Sequence, residues 1–240
     1  MRRKGCYSHA DYAINANRYS LGLHPSIVNR VSKGDFYGSI ICPALIWGVA
    51  MGPCKRVSAM LPDMVSKALY DGRNAVHCGK GDNVWTNVHV DDVVDLTSAL
   101  VAHHLTVGAP TSPPPAHSTF YFTSHKELNN FRDLAAAIGS GLHDLGLLSS
   151  SSPKSVPVPN FDKAQKGVRI EDDARGESQE EKKAPIWPTR TNVKCVSNRG
   201  QQQFGWVAKR RFDAGAQRDD AIETVRVFKA DGQLAGMMAA

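Results

Sequence analysis

The run Tyr37-Gly-Ser-Ile-Ile-Cys-Pro-Ala-Leu-Ile-Trp47, closed by Gly48, constrains this chain more than any other segment. It is far too short to span a bilayer, and its isoleucines suit a pleated, packed environment. Near-continuous apolar character without alternation predicts a strand buried on both faces, as in a parallel sheet. Pro43 cannot donate a ladder hydrogen bond, so the regular strand is expected to end near Cys42. Parallel strands need crossover connections, which makes α/β the expected class.

The rest of the pattern agrees with that class. Residues 58–71 carry apolar side chains at helical spacing (Met60, Leu61, Met64, Val65, Ala68, Leu69), with Ser58 as cap and Asp71-Gly72 as stop. Residues 75–78 and 84–90 read as two short strands around Gly79-Lys80-Gly81-Asp82-Asn83, expected to be a hairpin turn. Asp91 or Asp92 caps a helix running to about Leu105, with Val93, Val94, Leu96, Ala99, Leu100, Val101 and Leu105 as its apolar face. Thr119–Thr123 reads as a strand, and Ser124-His125-Lys126-Glu127 as a capping box opening the next helix, which Gly139 and Gly141 weaken. Residues 149–190 shift to serine, proline and charge and are expected to be a flexible, low-complexity insert. In the tail, Asn198 is read as a cap, Phe204-Gly205-Trp206 as a helix end, and 219–230 as an amphipathic helix.

Composition narrows the function classes. The 240 residues are 42% apolar and 22% charged, which is globular. No stretch is long and apolar enough for a membrane helix, and Cys6 to Arg30 holds no signal-peptide core. Five scattered cysteines without C-x-x-C suggest neither zinc nor a disulfide framework, so reduced thiols in the cytoplasm are expected. The net charge of +6 sits in short clusters, Arg2-Arg3-Lys4, Lys182-Lys183 and Lys209-Arg210-Arg211, rather than in a stripe. Nucleic-acid binding is therefore the third reading, and no nucleic-acid or membrane partner is expected. Tyr7, Tyr12 and Tyr19 near Arg18 have the spacing of stacking groups, but a polar, irregular start over 1–36 is the expectation for them. His89, Asp91 and Asp92, and separately His103-His104, are too sparse for a metal site; caps and a helix C-terminus explain them. No G-x-S-x-G turn supports a hydrolase.

Four ordered motifs carry a resemblance. His24-Pro25-Ser26-Ile27-Val28-Asn29 precedes Ile41-Cys42-Pro43-Ala44-Leu45-Ile46-Trp47-Gly48. Gly79-Lys80-Gly81-Asp82-Asn83-Val84-Trp85 then precedes Val88-His89-Val90-Asp91-Asp92-Val93. In order and spacing this set resembles the extended short-chain dehydrogenase/reductases, the NAD-dependent epimerase/dehydratase family, and most closely its fungal nucleoside-diphosphate-sugar epimerase-like members. The resemblance extends more weakly over 120–148 and 192–206.

What the resemblance implies is specific. The fold would be a partial Rossmann-like, mostly parallel sheet over 37–148, with the insert at 149–190 and a small helical C-terminal lobe at 191–240. The activity would be that of an NAD(P)-dependent oxidoreductase or epimerase acting on a sugar nucleotide or another carbonyl or alcohol. The cofactor would be NAD or NADP, with Pro43, Ala44 and Ile46 facing it. Trp85, Asn87 and His89 would lie on the substrate side. A packed strand end gives the same residues at 43–46, and a half-buried aromatic in a hairpin the same Trp85, so both readings stand.

Two family features are absent. No tyrosine is followed four residues later by lysine, so the general acid/base pair is missing. No G-x-x-G-x-x-G turn follows a strand, so nothing cradles a pyrophosphate. The chain thus looks like the C-terminal half of such an enzyme, a pattern that a truncated gene model and a degenerate paralogue would both produce. Impaired catalysis is expected, with no catalytic residue assigned. The alternative is a non-catalytic binding module that senses a ligand or pairs, as homo- or hetero-oligomer, with an intact relative.

Overall fold

The computed structural model describes residues 30–31, 33–35, 37–52, 56–58, 60–70, 74–107, 112, 116–156 and 192–234. Along the chain the elements are β1 (Ile40–Pro43), β2 (Leu45–Trp47), α1 (Met60–Tyr70), β3 (Val76–Cys78), β4 (Val84–His89), α2 (Val90–Val107), β5 (Phe120–Thr123), β6 (Leu128–Asn130), α3 (Phe131–Asp144), β7 (Lys154–Val156), α4 (Asn198–Phe204) and α5 (Ala214–Ala230). The class is α/β with parallel pairing, as the apolar run required. The chain divides into two compact units assembled from non-contiguous stretches.

The first unit holds the described residues up to Ile46, with Trp85–Leu128 and Val193–Arg211. β1 and β5 pair in parallel, Ile40 opposite Phe120 and Pro43 opposite Thr123. Pro43 ends β1 because it has no N–H; the next residue resumes the ladder, Ala44 donating to the Thr123 carbonyl at 2.9 Å. β2 and β4 are neighbours in a second sheet, and α2 leaves β4 directly. The core is Val88, Leu96, Leu100, Tyr121 and Trp206, with Ile41, Ala44, Ile46 and Val93 packed around it. The residues of β1 are half-buried or exposed rather than buried on both faces, because its sheet contains two strands among the described residues. α2 uses a narrower stripe than its sequence offers. Leu96 and Leu100 are buried, whereas Val94, Val101 and Leu105 are exposed, since apolar residues lie all around this helix and the core covers one side.

The second unit holds the described residues of Trp47–Val84, Asn129–Asn192 and Phe212–Ala240. β3 and β7 pair in parallel, Val76 opposite Lys154 and Cys78 opposite Val156. So 75–90 is not a hairpin: β3 takes its partner from far along the chain, within the span expected to be flexible. The Gly79 N–H donates to the Val156 carbonyl at 2.8 Å, which carries the β3–β7 ladder into the turn. α3 and α5 make the most extensive helix packing, with α1 against both. Phe131, Leu134, Ile138 and Leu142 of α3, and Ala221, Val225 and Phe228 of α5, are buried. α3 starts later than expected. Its cap is Asn130, whose side-chain oxygen accepts the Asp133 N–H at 2.8 Å, and not Ser124. The motif at 24–29, the tyrosines at 7, 12 and 19, and positions 157–190 fall outside the described residues.

Candidate functional site at the carboxyl edge of β1 and β5

In open α/β sheets ligands bind outside the carboxyl ends of parallel strands. In the first unit that edge is formed by Pro43, the last residue of β1, with Ala44, and by Thr123, the last residue of β5, with Ser124. Pro43 is exposed, while Ala44 and Ile46 are half-buried and packed against the core cluster. Strand alternation turns Tyr121 and Thr123 to the same face, and both are buried.

The 193–197 segment joins this edge to β4 through polar bonds. Trp85, half-buried, bridges in parallel to Val193, and the Thr86 N–H donates to the Val193 carbonyl at 2.9 Å. The Thr86 hydroxyl accepts the Cys195 N–H at 3.3 Å and lies 3.2 Å from the Cys195 thiol. The Ser124 N–H donates to the Ser197 hydroxyl at 2.6 Å, and the Ser124 hydroxyl donates to the Cys195 carbonyl at 3.0 Å. The His125 N–H donates to the Asn87 carbonyl at 2.6 Å. Thr86, Asn87, Thr123 and Ser124 are thus a buried polar row within an apolar unit. Such groups are costly to bury unless paired. The Thr123 hydroxyl is fully buried and has no hydrogen-bond partner among the described residues.

The end of β4 continues the row. His89 is half-buried; its Nδ1 accepts the Asp91 N–H at 3.1 Å and stands 3.5 Å from the Asp91 carboxylate. Burial lowers its pKa below the ordinary histidine value, Asp91 opposing and Arg210 assisting, so the ring is neutral at pH 7. Asp92 is 1% exposed. It is not the expected cap, since α2 begins at Val90 and Asp92 stands inside the first turn: its carboxylate accepts the N–H groups of Lys209 and Arg210 at 3.0 and 3.1 Å and the Arg210 guanidinium at 2.7 Å. The Asp92 carbonyl accepts the Trp206 indole N–H at 2.9 Å. These bonds fix the 206–210 segment on the start of α2.

Chemically, the described residues of the edge offer hydroxyls, amides and the imidazoles of His89 and His125, which suits a hydroxyl-rich ligand. His103 and His104 lie elsewhere in this unit, where His104 Nε2 meets the Ser39 hydroxyl at 2.9 Å. No group of three metal-ligating side chains occurs among the described residues. The structure therefore brings Asn87 together with Thr86, Thr123 and Ser124, which the sequence did not single out. Thr86 and Cys195 are 109 positions apart and Ser124 and Ser197 are 73, so no local motif could mark them.

No family model and no curated protein sequence matches this chain. Solved structures do. UDP-glucuronic acid 4-epimerase from Bacillus cereus, in complex with UDP-glucuronic acid and NAD, matches with TM-score 0.54 and 11% identity over 95% of this chain and 58% of that one. UDP-glucose 4-epimerase from Thermotoga maritima, with UDP-glucose, matches with TM-score 0.50 and 13% identity over 86% and 51%. A UDP-galactose 4-epimerase matches with TM-score 0.52 and 12% identity over 85% and 51%. At such identities the likeness is one of fold, Rossmann-like and α/β. The chain spans between 51% and 58% of the length of these three neighbours.

Proposed function

We propose that this chain is the substrate-side half of an NAD-dependent sugar-nucleotide epimerase or dehydratase type of protein. It holds the sugar nucleotide at the carboxyl edge of β1 and β5, and these 240 residues transfer no hydride by themselves. The buried polar row with its Thr123 hydroxyl, unpartnered among the described residues, carries this reading. Fold likeness to epimerases bound to UDP-sugars supports it. Trp85 would stack on the ligand, and His89 and Asn87 would bond its hydroxyls.

The residues present suit only part of a dinucleotide. Pro43, Ala44 and Ile46 form an apolar edge for a nicotinamide ring, which when bound would supply hydride chemistry. No glycine-rich turn in the sequence accepts the pyrophosphate, and no Tyr-x-x-x-Lys pair moves the proton, so no catalytic step is assigned to this chain. Equilibrium dialysis of the full chain against UDP-glucuronic acid, UDP-glucose and NAD tests this. We expect the UDP-sugars to bind at about millimolar Kd or tighter, His89→Ala and Trp85→Ala to weaken them, and no reduced nicotinamide to form. Absence of UDP-sugar binding rejects the site, and turnover by the isolated chain rejects the inactive state.

A second reading is favoured by the retained edge beside the missing proton-transfer pair: a non-catalytic module paired with an intact relative. Co-sedimentation with such a relative distinguishes it. No helix among the described residues is long and apolar enough to cross a membrane.

A further inference from the structure

Asp220 of α5 is a carboxyl group only 7% exposed. It accepts the N–H of Gly48, 172 positions earlier, at 3.1 Å. Gly48 has φ 89°, a left-handed conformation that suits glycine, and it is where the chain leaves β2 for the loop to α1. That loop is closed on itself by the Ala50 N–H donating to the Arg56 carbonyl at 2.7 Å. The neighbouring Trp47 ring stacks on Phe212 at 4.8 Å. One turn before Asp220, Gln217 is 2% exposed; its amide N–H donates to the Phe212 carbonyl at 2.7 Å, while its own oxygen has no partner among the described residues. Positions i and i+3 of a helix are neighbours, which puts Gln217 on the same face of α5 as Asp220.

We propose that Asp220 is a two-position latch: as a carboxylate it grips the Gly48 N–H and holds the root of the loop, and as a carboxylic acid it turns its O–H to the Gln217 amide oxygen and releases that root. The proton is taken from solvent and no covalent bond to another residue forms. A charged acceptor makes a hydrogen bond about twice as strong as a neutral one, so protonation weakens the hold on Gly48 while satisfying Gln217. Burial pushes the Asp220 carboxyl up to about 6; the Gly48 bond opposes this and Glu223 adds to it. Three ion pairs lie on the packed helices. Glu223 pairs with Arg226, Arg218 binds Asp144 of α3 at 2.6 Å, and Lys67 of α1 lies 3.8 Å from Asp63.

Trp47-Gly48 is the only Trp-Gly step in the sequence, so tryptophan labelled at the carbonyl carbon and glycine labelled at nitrogen isolate the Gly48 amide in the full chain. Its hydrogen exchange, corrected for intrinsic rate, is followed by NMR from about pH 7.5 to about pH 5. We expect protection to fall about tenfold, the difference between a charged and a neutral hydrogen bond, with a midpoint near the Asp220 pKa of about 6. Asp220→Asn should flatten the profile, and Gln217→Leu should move the midpoint to lower pH. A flat profile in the unsubstituted protein overturns the latch without reference to any variant. So does an Asp220→Asn profile that keeps the wild-type midpoint.

Discussion

Asp92 and Asp220 are two buried carboxyls with opposite surroundings. Asp92 meets a guanidinium and two backbone N–H groups, while Asp220 meets one N–H in a largely apolar setting. Removing the Asp92 side chain leaves those donors unmatched, so Asp92→Ala should cost about 3 kcal/mol in urea unfolding. Asp220 binds its proton more tightly folded than unfolded, with a pKa of about 6 against 3.8. Between those values the folded state holds more protons, so global stability falls as pH rises through that window, by about 3 kcal/mol at most. Thermal melts should place Tm higher near pH 5 than near pH 7, and Asp220→Asn should remove the slope. This global gain on acidification is compatible with local release at Gly48, because the first reports relief of a buried charge and the second a single hydrogen bond. Neither partnership is legible in sequence: Asp92 reads as a cap and Asp220 as a helix residue, since their partners come from distant segments.

At the scale of elements, periodicity located most helices and strands, and the misses have physical causes. Ser124-His125-Lys126-Glu127 has the form of a capping box, but Ser124 is drawn to Ser197 and Cys195, and the helix waits for Asn130. Gly139 and Gly141 read as weak points of α3. In the structure they are points of close approach. A Cβ on Gly139 would stand 2.4 Å from the Ser151 carbonyl oxygen, and one on Gly141 3.0 Å from the Arg218 carbonyl oxygen. Alanine there would gain up to about 1 kcal/mol of helix propensity but force backbone apart at a cost of about 1–3 kcal/mol. Gly139→Ala is therefore expected to lower Tm, and an unchanged or raised Tm would show that the approach relaxes freely.

For the molecule as a whole, the net charge of +6 is not concentrated in the one basic run that the described residues contain. In the Lys209-Arg210-Arg211 run, Arg210 is matched by Asp91 and Asp92, and Arg211 by Glu127 at 2.9 Å. Further along, Arg218 is matched by Asp144. A run so paired is a poor counter-ion for phosphates. The full chain is expected to pass through a DNA column even at about 50 mM salt, where a protein neutralising several phosphates is retained. What the sequence alone determined is the class and the edge. The apolar run marks a strand of a parallel pair, though not its degree of burial, and Pro43 ends that strand, because both effects act within a few residues. Tertiary structure decided which side chains gather at that edge, which of two aspartates is gripped and which is stranded, and where two glycines are indispensable. The gathered side chains and the two aspartates depend on segments some 70 to 170 positions apart, and the two glycines on approaches 12 and 77 positions apart, proximities no local pattern encodes.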